Sequence, residues 1–377
     1  MKQLNESHPA MSCIGNFTSD ELSSKLNEDG FPSYRGKQLF HALYTRNHNT
    51  TFSFDTITTL PADLRNALLD KYGSDHHSIR LKDVHVSEDG TKKMLFTLLD
   101  DTAVETVLIP SEMINEEGLP KRRTLCISTQ VGCALGCAFC ATATLKLKRN
   151  LATAEIVDQY MRAREICSTD ITNIVFMGMG EPMLNYDNVM KAVDILTHPE
   201  SALITAKHIT LSTAGIVPGI IRLADESRSI KLALSLHGTT QGQREAIMPI
   251  ANKYSLKELG DALEYYYRKT KKPITFEYIL FDGFNDSQED VMRLSKLTRR
   301  VPSKVNVIPF HTIEFTAPEG ISASLKPAPE STFHAFIKSL RNQDVTVMIR
   351  SSSGLDIDAA CGQLAYSHAG GSAGAIG

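Results

Sequence analysis

The sequence predicts an α/β fold: a barrel or part-barrel of parallel strands, preceded by a small helical domain and a β-hairpin. Three observations carry this. From about residue 124, β-rich runs alternate with helical stretches, the strands falling at 124–128, 171–178, 208–213, 230–237, 273–281, 304–310 and 345–350. Such alternation means parallel strands joined by right-handed crossovers, and seven strands favour a barrel over an open doubly wound sheet. Before residue 80, apolar residues repeat at helical spacing instead. The chain has 377 residues, enough for one large domain and a smaller one. Its net charge of -3 excludes a generally basic nucleic-acid binder and leaves local patches for any such contact.

Taken in order, residues 1 to about 16 are polar and are expected to be disordered. Thr18-Ser19-Asp20-Glu21 reads as a capping box, with Gly30 as the helix stop. A second helix spans Ser33 to Tyr44, and a third starts at Pro61 and ends near Gly73, carrying Leu64 and Leu68. Residues 1–80 thus form an N-terminal helical accessory or RNA-binding domain. Within it Arg35, Lys37 and Arg46 are candidate phosphate contacts or simply a solvated face. Lys92–Thr97 and Val104–Ile109 read as a hairpin, so 81–120 is a linking β-hairpin. The barrel core covers 121–365, its helices starting near Thr153, Asp187, Pro218, Ser255, Ser287 and Glu330. The tail 366–377, rich in Gly, Ala and Ser, is expected to be flexible. The absence of a long apolar run or a leader pattern predicts a cytoplasmic protein with no membrane contact.

The chemistry concentrates at the C-terminal ends of the strands, where barrels of this kind keep their active sites. After the first strand comes Gly132-Cys133-Ala134-Leu135-Gly136-Cys137-Ala138-Phe139-Cys140. Three thiolates at this spacing suit three irons of a 4Fe–4S cluster, which ordinarily takes four protein ligands, so one iron stays open. A zinc site short of one ligand, or three unrelated buried cysteines, are the plainer alternatives. Seven cysteines in all, an odd number, point to metal or redox chemistry rather than a disulfide framework. Strand 171–178 runs into Met177-Gly178-Met179-Gly180-Glu181-Pro182, where glycines admit a ligand to the backbone and Glu181 offers an acceptor for an ammonium. Ser212 closes the third strand. Ser235 and His237, two apart, are expected to share one face of the fourth. His311 ends the sixth. Cys361, among small residues past the last strand, can be exposed and mobile, and Cys126 on the first strand can face the same cavity; a buried free thiol is the commoner alternative for each. Cys13 and Cys167 read as ordinary buried thiols.

Together these segments resemble the radical S-adenosylmethionine (SAM) adenine methyltransferases that act on 23S rRNA. The resemblance runs from Tyr34-Arg35 to Leu364. Its marks are Val104-Glu105-Thr106-Val107-Leu108-Ile109-Pro110, Leu125-Cys126-Ile127-Ser128-Thr129-Gln130-Val131-Gly132-Cys133, Gly178-Met179-Gly180-Glu181-Pro182 and Asp356-Ile357-Asp358-Ala359-Ala360-Cys361-Gly362-Gln363-Leu364. It implies a radical SAM partial (β/α)6-type barrel and methylation of adenosine carbon 2 in 23S rRNA and in tRNA. It implies a 4Fe–4S cluster on Cys133, Cys137 and Cys140, with the open iron chelating SAM. It places Gly180, Glu181, Ser212, Ser235, Leu236, His237 and His311 around SAM, two molecules of which are used per turnover. It makes Cys361 the methyl carrier, Cys126 the thiol that releases product through a transient disulfide, Glu105 a base and Met177 an ordering residue. It also implies an electron donor such as flavodoxin, and a monomer.

The sequence departs from that pattern in three places. Lys146-Leu147 replaces a Gly and aromatic pair, which puts the turn there in question. His311 stands where Asn is common, and Ser351-Ser352-Ser353 replaces a more basic stretch. Basic clusters 121–123, 146–149 and 269–272 are candidate RNA phosphate contacts or solvated faces. Two rival readings remain: the sister branch that methylates carbon 8, against which Pro182 speaks, and a non-catalytic iron–sulfur RNA-binding protein, in which Cys126 and Cys361 are dispensable.

Overall fold

The computed structural model describes residues 8–45, 53–74, 76–116, 118–350 and 353–365. Helices α1 (Ser19–Glu28), α2 (Tyr34–Tyr44) and α3 (Ala62–Tyr72) open the chain. The Thr18–Glu21 capping box forms in both directions, and Leu22, Leu26, Leu39, Phe40, Leu43, Leu64 and Leu68 bury the helices' apolar stripes. The expectation of disorder up to residue 16 fails from residue 8 onward. Ala10, Ile14 and Asn16 are buried, and the Asn16 side chain accepts from the Ala154 N–H at 2.8 Å. That donor is one of the unsatisfied groups at a helix start, so a polar residue is held by a helix far away in sequence. Residues 1–7, Arg46 and the tail 366–377 lie outside the described residues.

An antiparallel meander follows: β1 (Ile79–Val86), β2 (Lys92–Leu98) and β3 (Ala103–Pro110). Sequence reading missed β1 because of its eight residues only Ile79 is buried, which leaves no alternation to read. The first barrel strand, β4 (Arg123–Cys126), pairs with β3. The meander therefore extends the barrel sheet itself. A small ribbon of β5 (Gln130–Val131) and β6 (Arg149–Asn150) brackets the cysteine loop.

The alternation then proceeds through α4 (Thr153–Cys167), β7 (Asn173–Phe176), α5 (Tyr186–Thr197), β8 (Ile209–Thr213), α6 (Val217–Asp225), β9 (Lys231–Ser235), α7 (Gln241–Ile247) and α8 (Leu256–Thr270). It ends with β10 (Ile274–Leu280), α9 (Gln288–Arg300), β11 (Ser303–Pro309), α10 (Ile321–Ser324), α11 (Glu330–Arg341) and β12 (Val347–Ile349). One ten-stranded sheet results, ordered β1-β2-β3-β4-β7-β8-β9-β10-β11-β12. From β4 to β12 every neighbouring pair is parallel, and β12 does not pair with β1, so the barrel stays open. Ile174, Leu211, Leu232, Leu234 and Phe276 bury one face of this sheet. Each such side chain contributes about 1.5–3 kcal/mol by burial.

The segment after β12 returns to the far edge of the sheet. The Asp356 carboxylate accepts from Ser87 Oγ at 2.5 Å and from the Glu88 N–H at 3.2 Å, and the Gly354 N–H donates to Asp89 at 3.0 Å. The turn between β1 and β2 thus docks the loop that carries Cys361. No helix among the described residues is long and apolar enough to cross a membrane.

Candidate active site at the strand ends

The cysteine loop leaves β4 and returns through β6. Gly132, at φ 75°, leaves no room for a side chain: a Cβ there would stand 1.8 Å from the Lys146 carbonyl oxygen. Cys133, Cys137 and Cys140 are all free thiols, and burial pushes each pKa up, that of Cys133 to about 12. After burial, Cys140 adds to the rise at Cys133, and Cys140 and Cys133 add to that at Cys137. Yet no three His, Cys, Asp or Glu side chains among the described residues are placed to share a single metal ion. Three thiolates on one loop, each meeting its own iron, are the donor set of a 4Fe–4S cluster.

Glu181 follows β7 and is buried. Its carboxylate accepts from the Ala214 N–H at 2.7 Å and the Met183 N–H at 3.0 Å, and burial raises its pKa to about 7. Gly180 has φ 97°, and a Cβ there would lie 2.5 Å from the Gln130 side chain. Ser212 and Ser235, on neighbouring strands, place their hydroxyls 3.5 Å apart. His237 does not follow the expected alternation: β9 ends at Ser235, and His237 sits in the left-handed region at φ 51°. There its ring meets Phe139 edge-on at 4.7 Å, and its Nδ1 accepts from the Ile279 N–H at 3.0 Å. Burial, reinforced by Arg244, drops its pKa to about 3, so the ring is neutral with its proton on Nε2. His311 is half-buried just beyond β11. Leu236 is set apart: with Leu234 it lines a small hollow against Leu256, Leu259 and Leu263 of α8, on the helix side of the sheet.

The second group of residues converges on a small cavity lined by Ile109, Cys126, Met177, Arg350, Ala359, Ala360, Cys361 and Leu364. Cys126 and Cys361, remote in sequence, share it. The Ala141 N–H donates to the Gly362 carbonyl at 2.7 Å, which ties the Cys361 loop to the cluster loop. Cys126 is buried and its thiol rises to about 12, through burial and the neighbouring Cys361, with Arg350 opposing. Cys361 opens to the surface. Glu105 is buried on β3. Burial raises its pKa to about 7 against the pull of Lys93.

Sequence reading missed four charged residues here. Arg350 donates to Met177 Sδ at 3.1 Å and lies 3.9 Å from Glu277. Glu277 is itself buried on β10: Asn306 donates to its Oε1 at 2.9 Å, while the Oε2 that faces Arg350 accepts no hydrogen bond. Arg244 donates to the carbonyls of Ser235, Leu236 and Ala214 at 2.5–3.0 Å, holding two strand ends together. Lys93 is buried beside Glu105. A charge inside an otherwise apolar strand, as in Ile274-Thr275-Phe276-Glu277-Tyr278-Ile279-Leu280, was the readable signal.

Of the three basic clusters, 146–149 borders the cysteine loop and the other two do not gather at this site. Residues 121–123 precede or begin β4 and 269–272 precede β10, so both lie at the opposite ends of the strands. Arg149 is neither an RNA contact nor a solvated side chain: it is buried between Asp100 and Glu155, at 2.6 and 2.8 Å. Arg35 is occupied by Gln38 and the Thr59 carbonyl. Ser351 and Ser352 lie outside the described residues.

An open α/β barrel with three cysteines beyond its first strand is the architecture of a radical SAM enzyme, and residues 127–295 match the family model Radical SAM superfamily. The chain resembles a solved radical SAM methyltransferase from Sphaerobacter thermophilus at TM-score 0.83 and 37% identity, over 93% of this chain and 98% of that one. It is 42% identical to the dual-specificity RNA methyltransferase RlmN of Geotalea uraniireducens, over 93% of this chain and 96% of the relative. The same-named protein of Pelobacter propionicus is also 42% identical, over 93% and 95%. With identity of this order over nearly the full length of both proteins, the chain belongs to the RlmN family of dual-specificity RNA methyltransferases.

Proposed function

We propose that this enzyme methylates carbon 2 of adenosine in 23S rRNA and in tRNA, with Cys361 as methyl carrier and Cys126 as resolving thiol. The observation that carries the reading is the single cavity in which Cys126, Cys361 and Met177 meet, joined to the cluster loop through Ala141 and Gly362. Carbon 2 of adenine is electron-poor, so polar transfer from SAM fails there and a one-electron route is needed. When bound, the cluster and SAM supply a carbon radical that takes a hydrogen atom from a methyl group.

The residues divide the rest of the work. Cys133, Cys137 and Cys140 hold the cluster. Gly180, Glu181, Ser212, Ser235, His237 and His311 surround SAM, with neutral His237 as a hydrogen-bond donor through Nε2. The Cys361 thiolate takes a methyl group from one SAM by displacement at carbon, and a second SAM is used to activate that methyl. The activated carbon bonds to the adenine ring, linking protein and RNA; the ring radical so formed gives up one electron, which the cluster would take back when bound, and then its proton. Glu105 accepts the ring proton; a carboxyl with a pKa of about 7 suits this near neutrality. Cys126 attacks the Cys361 sulfur, so a disulfide forms as the sulfur–carbon bond to product breaks. Met177, held by Arg350, lines the cavity that Cys126 and Cys361 share.

Replacing Cys126 tests this division. In reconstituted enzyme with SAM, reductant and RNA, Cys126→Ala is expected to accumulate a covalent protein–RNA adduct on denaturing gels. Cys361→Ala is expected to form neither adduct nor methylated RNA. Methylation by Cys361→Ala at the wild-type rate sinks the carrier assignment.

A further inference from the structure

We propose that Lys93 is a positioning residue that fixes the Glu105 carboxylate and couples it to the loop carrying Cys361. The proposal rests on the reading above, in which Glu105 is the base and Cys361 the methyl carrier. Strand register places the groups. Lys93 pairs with Val107 and Leu95 with Glu105 across β2 and β3, while Val107 pairs with Cys126 across β3 and β4. Directly paired residues point to one face and alternate residues return to it. Lys93, Glu105 and Cys126 therefore share a sheet face, the one covered by the Cys361 loop.

Lys93 is 5% exposed and Glu105 3%. A buried ammonium is tolerated only where it is paired, and the Lys93 head has two partners of different kinds. Its Nζ lies 3.6 Å from Glu105 Oε1 and donates to the Asp358 carbonyl oxygen at 3.3 Å. One ammonium thus touches the candidate base and the loop three residues before Cys361. The other Glu105 oxygen, Oε2, is buried with no partner. The two oxygens divide their roles: Oε1 is held, and Oε2 is free to take a proton.

The charged groups facing Glu105 are Lys93 from β2 and Asp358 from the C-terminal loop, with Cys126 one strand beyond β3. Lys93 favours the carboxylate form and Asp358 opposes it.

The test compares wild type, Lys93→Met, Lys93→Arg and Glu105→Gln in two measurements. The first is the pH dependence of single-turnover RNA methylation. Lys93→Met is expected to move the acid limb upward, so that the rate at pH 7 falls about tenfold and recovers at higher pH, while Lys93→Arg stays near wild type. The second is amide hydrogen exchange across residues 353–365 in the cluster-loaded enzyme without SAM, which does not depend on turnover. Lys93→Met is expected to speed it at least severalfold, with the strands unchanged. Lys93→Arg retains the charge and guards against misfolding as the cause. An unshifted pH profile in Lys93→Met, or unchanged loop exchange, overturns the proposal. A wild-type profile in Glu105→Gln removes the base assignment alone, and loop exchange then decides the coupling by itself.

Discussion

Lys146 adopts φ 51° and ψ 162°, a backbone region that L residues rarely occupy. Its carbonyl oxygen closes on Gly132, where no side chain fits. The replacement of a small residue by Lys has therefore left the turn in place, at a cost of about 1–3 kcal/mol in backbone strain. Lys146→Gly is expected to stabilise the protein by about 1 kcal/mol, read from the urea midpoint of metal-free protein. An unchanged or lowered midpoint would mean that the Lys146 side chain offsets the strain. The same scale explains why the cysteines were legible and their neighbours were not. Cys133, Cys137 and Cys140 lie in one loop, so their spacing is a local fact. Arg350, Glu277 and Lys93 gain meaning only from register across strands remote in sequence.

At the level of elements, the parallel strands and most helices were readable because each carries its own period and its own cap. Ser255-Leu256-Lys257-Glu258 forms the expected capping box at the start of α8, and the six later strand cores fall inside the predicted runs. Besides the short α10, β5 and β6, two larger elements escaped. β1 exposes nearly every residue, and α7 has only seven residues. Both serve the site. The turn after β1 docks the Cys361 loop, and α7 supplies Arg244 to the ends of β8 and β9. Short or exposed elements are held by tertiary contacts, which leave little periodic trace in the chain.

Across the whole molecule, a buried histidine joins the N-terminal helices to the barrel. His77 lies 3.1 Å from Asp158 and 3.7 Å from Glu165, both on α4. Burial alone would lower its pKa, but the two carboxylates outweigh it and hold it at about 9. A histidine raised from an unfolded value near 6.5 stabilises the folded state fully below that value, and the contribution is lost as pH rises through about 9. Stability is therefore expected to fall by on the order of 2 kcal/mol between pH 6.5 and 9.5. His77→Gln should abolish that slope in urea titrations while lowering stability at pH 6.5. A wild-type slope in this variant would remove His77 as its cause. The same junction places the N-terminal helices against α4 and α5, through Asn16 to Ala154 and Lys191 to Glu21.

The central claim is that the paired cysteines serve methylation of adenosine carbon 2 in RNA. Its most direct test is nucleoside mass spectrometry of rRNA and tRNA from a host lacking this activity, with and without the gene. The account predicts 2-methyladenosine in both RNA classes only when the gene is present. Finding 8-methyladenosine, or no new methyladenosine from protein with an intact cluster, would contradict it.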